Sequence, residues 1–403
     1  MKSHKYILLI LLVILVFSCS KVNEFKIKVS NPGELSLKNA FVNVEVKSNS
    51  DFFILRNDEN EIPYQLFTID GKKQIAFVLD LGPKEEKVFT LKETDERRKY
   101  VSGTYAELSM KPDNIYFGGK FRGDKFANVA KIKVPAIHTD HDALFRYEGP
   151  GWESEKVGYR FYLDWRNAID IFGKKVNKLI LSDVGVHDTV AIDDSYHNMQ
   201  DWGMDIFNVG SSLGIGSIGM WQDGKVNMVS KTDSIYCEIP SNGPIMSEIK
   251  TSYFGWQVGE NKYNLVSKLS ISKGSRLTKC NLSVSDDPDN LVTGLAKYEG
   301  TDFIKNNGKG GWSYIALYGN QTLAGPEDKL GIAVFFRNKD LIALTEDDLN
   351  YVIKLKPLNG KLNYYFCAAW DQEPDGIKNE IQFIKYLDEK IEQLDKPLIV
   401  EIN

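Results

Sequence analysis

An all-β architecture, a large antiparallel β-sandwich or supersandwich with a small N-terminal β module, is what this sequence predicts. Three observations carry that reading. Apolar and polar residues alternate in short runs through most of the chain. Aromatic residues reach 12 %, with 19 Tyr and 7 Trp, which suits a thick sheet-on-sheet core. Helical spacing is confined to one segment near the end.

The N-terminus comes first and reads as an export leader. Lys2 and Lys5 give a positive start, and Tyr6 to Phe17 is apolar and uncharged. That stretch is short of the roughly 20 residues a membrane-spanning helix needs, and it fits a signal-peptide core. Val16-Phe17-Ser18-Cys19 follows at once, and a small residue before Cys is the cleavage context of a lipoprotein. The expectation is a leader over 1–18 and a mature chain beginning at an acylated Cys19. Ser20, not Asp, follows it, so outer-membrane sorting is expected, with the body facing the periplasm. The lipid anchor makes the membrane a partner.

Residues 25–92 alternate, as in Phe41-Val42-Asn43-Val44-Glu45-Val46 and Ile75-Ala76-Phe77-Val78-Leu79. Turn chemistry separates the runs at Asn31-Pro32-Gly33, Asp70-Gly71 and Gly82-Pro83. This predicts a β-sandwich module over 19–100, closed by the charged joint 93–100. The second body, 101–403, continues in β pattern, with strands expected at Val157–Trp165, Ser211–Trp221, Leu265–Ile271 and Leu330–Phe336. Ile381, Ile384, Leu387, Ile391 and Leu394 recur at three and four, which predicts a helix over 377–394. A last strand-like Leu398-Ile399-Val400 follows Pro397.

Charge and cysteine content exclude several classes. Fifty basic residues stand against 55 acidic ones, so nucleic acid, which needs a basic field, is not an expected partner. Cys237, Cys280 and Cys367 are widely spaced in apolar runs and read as buried thiols, with a Cys237–Cys280 bridge left open. The Gly-rich run Val209–Gly219 lacks the strand–turn–helix setting of a dinucleotide loop. No cofactor is expected, and the chain is expected to be a monomer.

Chemistry concentrates in 138–166. His138-Thr139-Asp140-His141-Asp142 leads through Arg146, Trp152 and Glu153 into Tyr159-Arg160-Phe161-Tyr162-Leu163-Asp164-Trp165-Arg166. On a strand, side chains alternate. Tyr159, Phe161, Leu163 and Trp165 would then face the core, while Arg160, Tyr162, Asp164 and Arg166 would form a cationic strip. Guanidinium forks match carboxylates. A sugar acid held there would have an acidified hydrogen beside its carboxylate, which a His or Tyr can remove. His141 is assigned as base, Tyr162 as acid, Arg160 and Arg166 as carboxylate holders, with His197 able to exchange roles with His141. Arg146, Trp152 and Glu153 would shape the subsite, with His197, Trp202 and Asp205 on the far wall. A metal at His138 and His141, with His187 or His197 as third ligand, is the competing reading, and the spacing does not require it. His4 and His187 are otherwise read as ordinary histidines.

Gly151-Trp152-Glu153-Ser154, the run Gly158–Lys174 and Asp201-Trp202-Gly203-Met204-Asp205-Ile206, with Ala368-Ala369-Trp370 and the closing helix, resemble a family of Bacteroidetes lipoproteins. That family carries a domain-of-unknown-function label and is often encoded in polysaccharide-utilisation loci. The resemblance covers essentially the whole mature chain. It implies a galactose-mutarotase-like supersandwich and a substrate drawn from polysaccharide. One similar protein type is linked to ulvan breakdown as an oligosaccharide dehydratase.

The leading expectation is therefore a lyase or dehydratase acting by β-elimination on a terminal uronic acid of an oligosaccharide. Two alternatives stand beside it: a non-catalytic glycan-binding lipoprotein, and a glycoside hydrolase using a carboxyl pair from Asp164, Asp205 and Glu153.

Overall fold

The computed structural model describes residues 23–403 apart from 70, 124, 186–193, 307–309 and 375. The expected leader, Cys19, His4 and His187 lie outside the described residues. Among the described residues no helix is long and apolar enough to cross a membrane.

Two sheets form the first unit. One runs in the order Ile399–Ile402, Glu24–Ser30, Glu86–Glu93, Phe53–Asn57 and Asn60–Glu61; the other sets Lys72–Leu81 between Leu37–Glu45 and Tyr64–Ile69. Ile27, Val29, Phe53, Leu55, Ile75, Phe77, Phe89 and Leu91 close the space between them. The chain end completes this sandwich, because Ile27 pairs with Ile402 and Val29 with Val400. The strand after Pro397 therefore returns to the first unit instead of staying with the helix that precedes it.

A nine-stranded antiparallel sheet forms the spine of the second unit. Its order is Lys131–Lys133, Ser234–Asn242, Met246–Val258, Asn261–Ser272, Leu277–Val284, Lys361–Trp370, Leu330–Arg337, Trp312–Gly319 and Thr301–Asn306. Burial alternates along Met246–Val258 as period-two alternation requires. Two five-stranded sheets share one apolar core with it. The first, which carries the site, runs Gly203–Asp205, Ile169–Lys174, Gly158–Phe161, Gly151–Ser154, Thr104–Glu107; the second contains Gly219–Gln222 and Leu291–Ala296.

The two small sheets are joined by isolated bridges, Ile169 with Gly214 and Ile215 with Leu295. Gly214 has φ +56°, and a Cβ there would lie 2.2 Å from the Ile169 carbonyl oxygen. That close approach explains why the expected strand Ser211–Trp221 is mostly irregular and begins only at Gly219. Among the described residues Cys237, Cys280 and Cys367 are free and buried, so the Cys237–Cys280 bridge is not formed.

The helix Glu380–Asp395 packs Phe383, Leu387 and Ile391 on the outer face of the spine, against Tyr314, Tyr318, Ala333, Phe335 and Ala369. Asn379 caps it by accepting the Gln382 amide at 2.9 Å. Burying three such side chains stabilises by about 1.5–3 kcal/mol each. Ile381, expected on the buried stripe, is 80 % exposed; Phe383 takes that place.

Candidate functional site

The site begins with a cross-strand pair. Arg160 lies directly opposite Asp170 in the ladder between Gly158–Phe161 and Ile169–Lys174. Its guanidinium donates to Asp170 Oδ2 at 2.8 Å and to Asp205 Oδ2 at 2.6 Å, and meets Glu148 Oε2 at 3.9 Å. The Tyr162 hydroxyl donates to the same Asp170 oxygen at 2.5 Å. Arg160 and Arg166 lie on Tyr162, their guanidinium carbons 4.8 and 3.8 Å from the ring centroid.

Regular strand geometry stops at Phe161. The Asp164 carboxylate accepts the Arg166 amide at 2.9 Å, and the Asn167 amide closes on the Asp164 carbonyl at 3.2 Å. This turn swings Arg166 back to pair with Asp164 and, at 2.8 Å, with Glu148 Oε1. The same turn throws Trp165 outward, 45 % exposed, with its indole nitrogen on Asp140 Oδ1 at 3.2 Å. Trp165 was expected in the core, and the end of the alternation puts it outside.

Glu148 ties the two arginines to His141. It accepts the His141 amide at 2.9 Å and stands 3.6 Å from His141 Nδ1. The imidazole itself is 78 % exposed. At the opposite end, His197 Nε2 lies 3.4 Å from Asp205 Oδ2, and its ring tilts onto Tyr196 at 4.3 Å. His141, Arg166, Glu148, Arg160, Tyr162, Asp170, Asp205 and His197 thus form one connected network with an imidazole at each end. His141, Glu148 and nearby Ala143 and Asn167 all take left-handed backbone conformations, with φ +57°, +70°, +65° and +47°. Such strain concentrates where geometry is over-determined.

Charge sorts the carboxyls. Burial resists ionisation of Glu148, but the Arg160 and Arg166 guanidiniums win and hold it below the usual range. Burial pushes Asp205 well above that range, against Arg160 and with help from Asp170. Burial also raises the Tyr162 hydroxyl. Arg160 is held well above its ordinary value: burial opposes the charge, and Asp205 leads the groups that restore it. The environment thus moves the two carboxyls in opposite directions, Glu148 down and Asp205 up.

Three residues expected at a subsite have other work. Trp152 is fully buried, stacked on Tyr159 and bonded to Thr278 Oγ1 at 2.9 Å. Glu153 is buried against Lys174 at 2.7 Å and accepts the Ile180 and Leu181 amides. Arg146 pairs with Glu107 and holds the Leu181 and Ser182 carbonyls at 2.9 and 3.1 Å. Each is consumed inside the fold and correctly belongs to the support of the sheet. Trp202 stays half-buried on Phe172, 6.1 Å between centroids, beside Tyr196.

Both arginines are also already paired, so Arg160 is not a free fork for a substrate carboxylate. Arg166 is the more open of the two, its side chain 10 % exposed. His138 and His141 do not converge: His138 is buried on Phe145 and bonded to Asp142. No group of three or more metal-ligating side chains gathers among the described residues. Glu148 and Asp170 carry no role in the sequence reading. A lone acid amid Ile169, Ile171 and Phe172 was the available sign of the second.

The site and fold define a β-supersandwich protein with a buried arginine–carboxylate network that ends in two partly exposed histidines. The chain belongs to the family described as domain of unknown function (DUF4861), which matches residues 29–400. It is 24 % identical over 424 residues to a protein of Formosa agariphila, "Uncharacterized protein P7", with 96 % of each chain covered. Among solved structures it is similar to a glycosyl hydrolase family 38 protein of Enterococcus faecalis (TM-score 0.43, 7 % identity) and an α-mannosidase of Enterococcus faecalis V583 (0.44, 6 %). Each covers 94 % of this chain, which spans 47 % and 46 % of theirs. At these TM-scores the likeness carries no weight for activity.

Proposed function

We propose that this protein is a carbohydrate-active enzyme that eliminates water, or a sugar leaving group, from a terminal uronic acid of an oligosaccharide. One observation supports it above the others: two solvent-reaching imidazoles, each beside a carboxyl group, terminate one rigid ionic network. His141 beside Glu148 takes the hydrogen from the carbon next to the substrate carboxylate. The electron pair forms the carbon–carbon double bond as the neighbouring carbon–oxygen bond breaks. His197, backed by Asp205, returns a proton to the departing oxygen. Arg166, already shared by Asp164 and Glu148, is the guanidinium nearer solvent for the substrate carboxylate. Tyr162, expected as the acid, is buried with its hydroxyl on Asp170 and with Arg160 positions the network. Trp202, near the His197 end, offers a ring face to sugars. The proposal extends to the setting, an acylated Cys19 tethering the body at the outer membrane.

Purified protein incubated with ulvan-derived oligosaccharides tests the reaction. The expected result is a growing ultraviolet band of a conjugated, unsaturated uronate with a product lighter by one water. Neither signal appearing would refute it.

One second reading is glycoside hydrolysis by a carboxyl pair, since Glu148 and Asp205 both meet the Arg160 guanidinium, at 3.9 and 2.6 Å. New reducing ends without the ultraviolet band would identify that reaction.

A further inference from the structure

A cavity of about 430 Å³ lies on the other side of the Asp164–Trp165 turn, within the roughly 300–1,000 Å³ typical of small-molecule sites. Trp165, Asp164, His138, Lys231, Asp233 and Gln257 are among its walls. We propose that it is a separate binding pocket for an acidic pyranose ring, extending the neighbouring network to a longer oligosaccharide. For its ligand class this rests on the carbohydrate reading above.

Three features carry the assignment. The exposed Trp165 indole supplies a flat apolar face, fixed in orientation by its bond to Asp140. Aromatic faces of this kind suit the carbon–hydrogen surface of a sugar.

The second feature is His138. Its side chain is 2 % exposed, and Nδ1 bonds Asp142 Oδ2 at 2.8 Å. Asp142 also accepts the Thr139 and Leu144 amides, so it acts as an acceptor and places the imidazole proton on Nδ1. Nε2 is buried without a partner among the described residues. A buried polar atom left unpaired costs about 1–3 kcal/mol. A ligand hydroxyl supplied from the adjoining cavity answers that need.

Charge is the third feature. The acids of the wall are already engaged, Asp233 by Lys262 at 2.7 Å and Asp164 by Arg166 at 3.0 Å. Lys231 has no opposing carboxylate among the described ion pairs, and Lys133, also on the wall, lies over the Tyr236 ring. The two lysines and two acids of the lining cancel in number, but both acids are held by cations while Lys231 is held by no acid among the described ion pairs. Lys231 is therefore the charge left to pair with a carboxylate or a sulfate ester.

Calorimetric titration of the full chain tests this with three probes: ulvan-derived tetrasaccharides, the same after desulfation, and maltotetraose. The wild type should bind an acidic probe more tightly than maltotetraose. Retained affinity after desulfation assigns the anion to the carboxylate, and lost affinity assigns it to the sulfate. Trp165→Ala should weaken acidic binding about tenfold. Lys231→Ala, at an exposed position that leaves the core intact, should weaken it roughly threefold and spare maltotetraose. Wild-type affinity in Trp165→Ala, or no binding of any probe, overturns the pocket. Trp165-dependent binding without elimination sinks only the catalytic reading. Elimination with Trp165-independent binding sinks only the pocket.

Discussion

His197 Nε2 stands 3.4 Å from Oδ2 of Asp205, the same oxygen that accepts Arg160 at 2.6 Å. An imidazole that reaches solvent is thereby coupled to a carboxyl that does not. The chain of contacts continues through Arg160 and Glu148 to His141, so two distant sequence segments act on one rigid frame.

Replacement of either terminal imidazole should therefore cost activity without costing the fold. His141→Ala and His197→Ala should each lower the elimination rate by about 10²–10⁴. Their side chains are 78 % and 44 % exposed, so melting temperatures should stay near the wild-type value. Initial rates with ulvan oligosaccharides, beside thermal unfolding curves, make the comparison. Full activity in both variants would remove the histidines from the mechanism.

Arg160 should behave in the opposite way. Its removal leaves Asp170 and Asp205 facing each other in a dry site. Arg160→Met is expected to destabilise by about 3–5 kcal/mol, the usual cost of breaking a buried pair. Arg160→Met combined with Asp205→Asn should recover part of that loss, because one of the stranded acids has gone. Urea unfolding of the three variants measures it; equal stability of the single and double variants would show that the acids do not repel.

Much of this was readable beforehand, and the failures have definite causes. The strand at Leu265–Ile271 followed from alternation, because its two sides meet different environments, and Leu330–Phe336 from an unbroken apolar run that is buried on both faces. The closing helix followed from three-and-four spacing. Alternation misled at Trp165, since it assumes the strand persists, and the Asp164 carboxylate ends it by capping the turn. Arg160, Tyr162, Arg166, His141, His197 and Asp205 do meet, but Trp152 and Glu153 face the interior. Residue type alone does not separate a buried Glu–Lys pair from an open acid. That distinction depends on Lys174, a strand and a turn away.

Trp152 accordingly predicts a stability effect with no selective effect on ligand. Trp152→Ala should cost about 3–5 kcal/mol, while Trp152→Phe should cost less and keep oligosaccharide affinity unchanged. Calorimetric titration of the folded Phe variant decides the matter. A selective loss of saccharide binding there would return Trp152 to the site.

Glu148 predicts how stability responds to acid. Arg160 and Arg166 hold its folded pKa below the unfolded value even though burial works the other way. Between those two values the unfolded chain carries the proton and the folded chain does not, so this group's stabilisation is present above the window and is lost as pH falls through it. Glu148→Gln should be less stable than the wild type near neutrality and should show a flatter decline on acidification. Unfolding free energies measured across the carboxylate range test this, and parallel curves would contradict it.

Asp371 has the reverse sign and sits far from the site in sequence, at the end of the strand Lys361–Trp370. Burial first, then its hydrogen bond and charge contact with Asp328, raises its pKa from 3.8 to about 6. Asp328 is itself held in place by Trp370 Nε1 at 2.5 Å and Gln372 Nε2 at 2.6 Å, so the two carboxyls cannot simply part. Between 3.8 and about 6 the folded chain keeps a proton that the unfolded chain has released, and stability falls as pH rises through that window. Asp371→Asn removes the titration while keeping a donor toward Asp328. Its melting temperature should approach the wild-type value at the acid end and exceed it increasingly toward neutral pH. A difference that stays constant across the window would mean the two carboxyls do not share a proton.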